Sequence, residues 1–139
     1  MTLKFEPVIP TDKQIKELYT LLKHRAYSIS HTSRISLKDH YIFVKENPYL
    51  AWYLIYLGTE NIGSTYLQSD NSIGIDLVDP NSSDLNEIIF FIKKNHQPLK
   101  PIKSIRRGDF FMNVAPDNLK LLEILQEIGK IEIQRTFSL

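Results

Sequence analysis

Leu50-Ala51-Trp52-Tyr53-Leu54-Ile55-Tyr56-Leu57, then Gly58-Thr59-Glu60-Asn61, then Ile62-Gly63-Ser64-Thr65-Tyr66-Leu67-Gln68, is the stretch on which the fold turns. The first eight residues are almost wholly apolar and rich in aromatic and branched side chains, which suits a strand covered on both faces. Gly58 to Asn61 turns the chain, and Ile62 to Gln68 returns beside it. Ser69-Asp70-Asn71 forms a second turn, and Ser72 to Val78 runs as the next strand. Three consecutive antiparallel strands are expected in the middle of the chain.

Toward the start, Leu3 to Val8 alternates apolar and polar residues and reads as a first strand. Thr11-Asp12-Lys13-Gln14 is a capping-box pattern, in which the Thr hydroxyl accepts from a free helix amide and Gln14 reaches back. The helix it opens carries Ile15, Leu18 and Leu22 on one face and ends near Arg25. Ala26 to Arg34 is a polar loop. Ser36-Leu37-Lys38-Asp39 starts a second helix with Leu37, Tyr41 and Val44 on one face, and Asn47-Pro48 stops it.

Toward the end, Asp79 to Ser83 is a loop leading to a third helix with Leu85, Ile88, Ile89 and Ile92 at helical spacing. Pro98 and Pro101 mark a loop, and Asp109 to Val114 reads as a strand. Pro116 suits the first turn of a fourth helix, Leu121, Leu122, Leu125 and Ile128 form its apolar face, and Gly129 caps it. Ile131, Ile133, Arg135 and Phe137 then close the chain as a strand that could pair across a homodimer. The order β-α-α-β-β-β-α-β-α-β describes one α/β domain over residues 1–139, a mixed, mostly antiparallel sheet flanked by about four helices.

Composition narrows the function. The chain has 139 residues, 42% of them hydrophobic and 24% charged, with a net charge of +1. Such a balance exerts no strong overall pull toward nucleic acid or anionic lipid. No apolar run approaches the ~18 residues of a membrane helix, and Met1 to Glu6 does not read as a secretory leader. The chain contains no cysteine, which excludes disulfides and thiol nucleophiles and fits a cytoplasmic setting. The four histidines, His24, His31, His40 and His96, include no i, i+4 pair, so no metal site is expected.

Three places resemble the GNAT superfamily of acyl-CoA-dependent N-acyltransferases. Ile62-Gly63-Ser64 resembles the opening of that family's third strand. Val78-Asp79-Pro80 resembles the Val-x-Pro that ends its fourth strand. Met112-Asn113-Val114 with Asn118, Leu121, Leu125 and Gly129 is similar to its closing signature, with Asn and Gly at the family spacing. Arg25 with the Ser-rich loop, Ser36, His40, Phe43, Asn47-Pro48-Tyr49 and Trp52 resemble members that act on amino sugars. The resemblance implies acetyl-CoA as acyl donor and a small-molecule amine as acceptor. It places the donor at Leu77, Val78, Ser82, Ser83 and Asn118, and the acceptor near Arg25, Ser28 and Ser30. Asp76, on the strand face opposite Ile73, Ile75 and Leu77, and His31 in the polar loop are the candidate general bases.

The chain departs from the family pattern where the donor's diphosphate would sit. A helix start offers free N–H groups and a positive dipole end to an anion. Here the positions usually filled by Gln or Arg and by glycines hold Ser83, Asn86 and Ile88, and Asp84 and Glu87 bring carboxylates. The tyrosine that would protonate the departing thiolate is Leu125. Two alternatives stay open beside an enzyme. One is a non-catalytic GNAT-like binding module. The other is an anion binder using Lys93, Lys94, Lys100, Lys103, Arg106 and Arg107, a run with no acid within it.

Overall fold

The computed structural model describes residues 2–24 and 35–139. These form β1 (Lys4–Pro7), α1 (Asp12–His24), α2 (Leu37–Glu46), β2 (Ala51–Leu57), β3 (Glu60–Leu67), β4 (Ile73–Leu77), α3 (Ser82–Asn95) and α4 (Leu119–Glu127), in that order. The strands make one sheet in the order β1-β2-β3-β4, every neighbouring pair antiparallel. The hairpins expected from Leu50 to Val78 are its centre.

Alternation along the strands divides the core into two layers. Trp52, Leu54 and Tyr56 of β2 pack with Val8, with Ile15, Leu18 and Leu21 of α1 and with Val44 of α2. Ile55, Ile75 and Leu77 face the other way, toward Ile88 of α3. Leu85 of α3 meets Leu121 and Ile124 of α4 beneath Ile75. The sheet thus lies between α1 and α2 on one side and α3 and α4 on the other. Leu54, Ile55, Leu85, Ile88 and Ile92 are fully buried, and each contributes about 1.5–3 kcal/mol relative to exposure.

The start of α1 follows the capping-box logic and extends it. Gln14 N–H donates to Thr11 Oγ1 at 3.3 Å. The Gln14 side chain accepts from Ile9 N–H at 2.6 Å and donates to Glu6 Oε1 at 2.7 Å. Gln14 therefore reaches past the cap into β1, which explains how a polar residue sits buried. On α2, Asn47 takes a left-handed conformation (φ 45°) and its N–H closes the last turn on Phe43 and Val44.

Several expectations need correction. The buried face of α1 is Ile15, Leu18 and Leu21, with Leu22 only half-buried. On α2 the buried pair is His40 and Val44, while Leu37 and Tyr41 are exposed. Pro116 precedes α4 instead of lying in its first turn. Residues 109–114 form no ladder: Phe111 alone makes a parallel bridge, to Ser72. Phe110, Met112 and Val114 still pack inward, so the alternation in that segment reflects burial without pairing. Residues 131–139 are exposed and pair with no strand among the described residues.

Candidate active site

β4 and residues 110–114 touch by backbone at one place, Ser72 and Phe111. Ile73 N–H donates to Phe111 O at 2.8 Å, and Phe111 N–H donates to Asn71 O at 3.4 Å. Beyond this contact the two parallel segments share no further bridge among the described residues. On the other edge of β4, Val78 N–H donates to Ile62 O at 3.0 Å. Leu77, opposite Gly63, is then a non-hydrogen-bonded pair, and its own N–H and C=O point away from β3. By the same alternation so do those of Ile75. On that edge the backbone groups of Ile75 and Leu77 therefore make no ladder bond among the described residues.

Of the two strand positions expected to meet the donor, Leu77 turns its backbone groups to the outer edge of β4, whereas the Val78 amide is bonded within the sheet and the Val78 side chain is 60% exposed. Gly63 lets β3 and β4 approach closely here, since a Cβ at that position would strike the Asp76 carbonyl oxygen. Asp76 stands opposite Ser64, which stands opposite Leu54. Its side chain is thereby on the sheet face toward α1 and α2, as expected from Ile75 and Leu77 packing the other way.

The start of α3 is closed by its own side chains. Asn81 Oδ1 accepts from Asp84 N–H at 2.9 Å, and Asn81 Nδ2 donates to Asp84 Oδ2 at 2.8 Å. Ser82 Oγ donates to Glu127 Oε2 at 2.8 Å, linking α3 to the end of α4. Lys120 Nζ pairs with Asp79 at 3.0 Å, an exposed contact of small energetic value. Ser83 is exposed. Asn118 caps α4, its Oδ1 accepting from Leu121 N–H at 3.3 Å.

Glu87 does not belong to this cluster. It lies beyond the first turn of α3, and its Oε1 accepts from Leu3 N–H at 3.0 Å. The carboxylates near the helix start are Asp79, Asp84 and Glu127. Glu127 could not be found from sequence, because nothing in the linear spacing brings the end of α4 to the start of α3. Leu125 is half-buried against the α3–α4 cluster, where it has no proton to give.

The α1 side of the sheet carries a second polar group that sequence reading missed. The Tyr56 hydroxyl donates to Glu17 Oε2. Burial pushes the Tyr56 phenol well above its usual range, helped by the bond to Glu17 and by the charges of Glu17 and Glu6. On α2, burial pulls His40 below its ordinary value against a raising contribution from the Ile15 backbone. His40 Nε2 and Trp52 Nε1 are buried without a partner among the described residues. Arg25, Ser28, Ser30 and His31 lie outside the described residues.

The two arginines of the basic run are engaged in its own loop. Arg106 Nε donates to the Lys100 carbonyl at 2.9 Å, and Arg107 pairs with Asp109 at 3.4 Å. Lys94 lies over the Phe90 ring. His96, at the end of α3, bonds the Tyr53 hydroxyl at 2.8 Å, and burial raises that phenol. Among the described residues no group of three or more His, Asp or Glu side chains could hold a metal ion. No helix of the described residues is long and apolar enough to cross a membrane.

No protein-family model matches the chain, and no curated protein matches it. Solved structures do. An acetyltransferase from Thermus thermophilus superposes with a TM-score of 0.66 at 16% identity, over 93% of this chain and 86% of that one. A possible acetyltransferase from Clostridium difficile gives 0.61 at 10% identity, over 99% and 96%. A dodecameric spermidine N-acetyltransferase from Vibrio cholerae gives 0.59 at 14% identity, over 96% and 81%. At these identities the likeness speaks for the fold, which is a divergent form of the GNAT-type acetyltransferase fold.

Proposed function

We propose that this chain is an N-acetyltransferase that moves an acetyl group from acetyl-CoA to a small-molecule amine. The observation that carries the reading is that β4 and residues 110–114 are bridged at one place, which leaves the outward backbone groups of Ile75 and Leu77 without a ladder bond among the described residues. Amide groups of a pantetheine arm would pair with that edge as a further strand does. The thioester carbonyl would then lie within reach of Asp76.

In the proposed step the amine nitrogen attacks the thioester carbonyl carbon and the carbon–sulfur bond breaks. The proton leaving nitrogen passes to Asp76, directly or through water, or to His31. The thiolate takes its proton from solvent, since Leu125 offers none. Glu6 lies on the same sheet face as Asp76, and Glu17 reaches that face through Tyr56. Those two carboxylates are engaged by Gln14 and Tyr56, so the attraction for a cationic amine would rest on Asp76. An amine substrate is also named for the Vibrio cholerae likeness. Ser28, Ser30 and Arg25 would contact the acceptor, an amino sugar being one such amine.

A second reading, a GNAT-like module that binds without catalysing, is favoured by the ring of Asp79, Asp84 and Glu127 at the start of α3. Those charges repel a diphosphate where the dipole would attract one. Differential scanning fluorimetry with acetyl-CoA, paired with thiol release in the presence of a panel of amines, separates the two. Stabilisation by acetyl-CoA with amine-dependent thiol release supports the enzyme. No shift at millimolar acetyl-CoA defeats it, because ligand at 100 times its dissociation constant stabilises by about 2.7 kcal/mol.

A further inference from the structure

The Tyr66 ring crosses from β3 onto β4. Tyr66 stands opposite Gly74, and a Cβ at Gly74 would meet Tyr66 Cζ at 2.0 Å and Cε2 and Cε1 at 2.3 and 2.4 Å. The far end of the ring therefore lies face down on the Gly74 backbone, in space that any other side chain there would fill. The hydroxyl oxygen is one bond beyond Cζ in the same direction, so it points to the outer edge of β4. Tyr49 stacks on the ring with centroids 4.0 Å apart and planes 16° from parallel, which holds it down. The hydroxyls of Tyr19, Tyr53 and Tyr56 each bond a protein group. That of Tyr66 makes no hydrogen bond among the described residues.

Gly74 and Asp76 are two residues apart on β4, so the Tyr66 hydroxyl and the Asp76 carboxylate share the sheet face toward α1 and α2. The rise between their stations is about 7 Å. An acyl carrier laid along the outer edge of β4 has one favourable direction. Val78 at one end is 60% exposed, whereas Ile73 at the other is 4% exposed and its N–H is bonded to Phe111. A charged diphosphate stays at the exposed end because burying it unpaired is costly. The thioester then comes to the inner end, between Asp76 and the hydroxyl that overhangs Gly74.

We infer, resting on the acetyl transfer proposed above, that Tyr66 is a catalytic residue whose O–H donates to the carbonyl oxygen of the thioester. As the amine nitrogen bonds to the carbonyl carbon, the C=O electron pair moves onto oxygen, and the phenol stabilises that developing charge. The pair returns as the carbon–sulfur bond breaks and the thiolate leaves. Tyr66 keeps its proton throughout, and the proton of the amine leaves by the route already described. Gly74 is the residue that makes this reach possible.

Tyr66→Phe removes the hydroxyl and keeps the ring that covers Gly74 and stacks on Tyr49. The test is difference infrared spectroscopy of acetyl-CoA carrying a carbon-13 label at the carbonyl, bound to wild type and to Tyr66→Phe. The carbonyl band should lie at lower wavenumber in wild type, while circular dichroism and the thermal midpoint stay unchanged. In amine-dependent thiol release the variant should lose about 100-fold in kcat with KM for acetyl-CoA within about twofold. An identical carbonyl band in the two proteins, an unchanged kcat, or a loss confined to KM would each overturn the assignment while leaving acetyl transfer standing. Wild type that binds no acetyl-CoA would overturn acetyl transfer itself, and the role of Tyr66 with it.

Discussion

Replacing Asn71 with alanine should destabilise the protein by about 3–4 kcal/mol, most of it through hydrogen bonds. Asn71 is 2% exposed and left-handed, with φ 74°. Its Nδ2 donates to Leu99 O at 2.9 Å and to Arg107 O at 2.6 Å, and its Oδ1 accepts from Leu99 N–H at 2.7 Å. One side chain in the β3–β4 turn thereby holds the loop that leads to residues 110–114. Three bonds at roughly 1 kcal/mol each give about 3 kcal/mol. Alanine in the left-handed region adds about 1 kcal/mol that glycine does not. Urea unfolding of the Ala and Gly variants separates the contributions: Asn71→Gly should lose about 3 kcal/mol, and Asn71→Ala about 1 kcal/mol more. Thermal midpoints should fall by roughly 10 °C. A loss below about 1 kcal/mol in both variants would falsify the assignment of Asn71 as the tie between hairpin and loop.

Gly63→Ala should cost about 1–3 kcal/mol by driving β3 and β4 apart at the Asp76 carbonyl. In acetyl-transfer assays it should lower turnover, and full activity with full stability would contradict the close approach. His40→Gln should flatten the pH dependence of stability below about pH 7. The native pKa of His40 lies below its ordinary 6.5, so in that window the unfolded chain binds more protons. The stabilisation is complete above 6.5 and is lost as pH falls toward the lowered value, which urea titrations at several pH values would measure. Asp84→Asn combined with Glu127→Gln should tighten coenzyme A binding by roughly fivefold, about 1 kcal/mol of relieved repulsion. Calorimetry showing no change would mean that the diphosphate lies elsewhere.

The hairpins were legible because each signal in Leu50 to Val78 was local: apolar runs, a Gly turn and an Asn turn within a few residues of one another. Helix starts were legible for the same reason, since Thr11, Ser36 and the loop before Leu85 act on amides two or three positions away. Period-2 alternation misled at residues 109–114 and 131–139. It reports which side chains are apolar and says nothing of whether a neighbouring backbone stands at bonding distance. The face of α2 was misread because His40 counts as polar in the sequence, yet α1 covers it. At the candidate site the sheet face that Asp76 takes follows from strand parity, whereas Leu77 was reached through the family resemblance. Glu127 and Glu17 reach their places through tertiary contacts with Ser82 and Tyr56, 45 and 39 residues distant, and no spacing rule spans such gaps. Glu87 was assigned to the wrong end of an argument because a partner as remote as Leu3 was invisible.

That last contact has a mechanical consequence. Leu3 grips Glu87, and four residues further along the same helix the Phe91 ring lies flat against Phe5 with centroids 3.9 Å apart. The helix is riveted to the far border of the sheet at two successive turns. Sliding it as a rod to welcome a bulky anion would tear both rivets at once. The cheaper accommodation is to fray its opening turn, where the side-chain bonds of Asn81 and Ser82 are exposed. Any adjustment of this cleft to its guest should therefore be confined to a few residues, with the rest of the rod standing still.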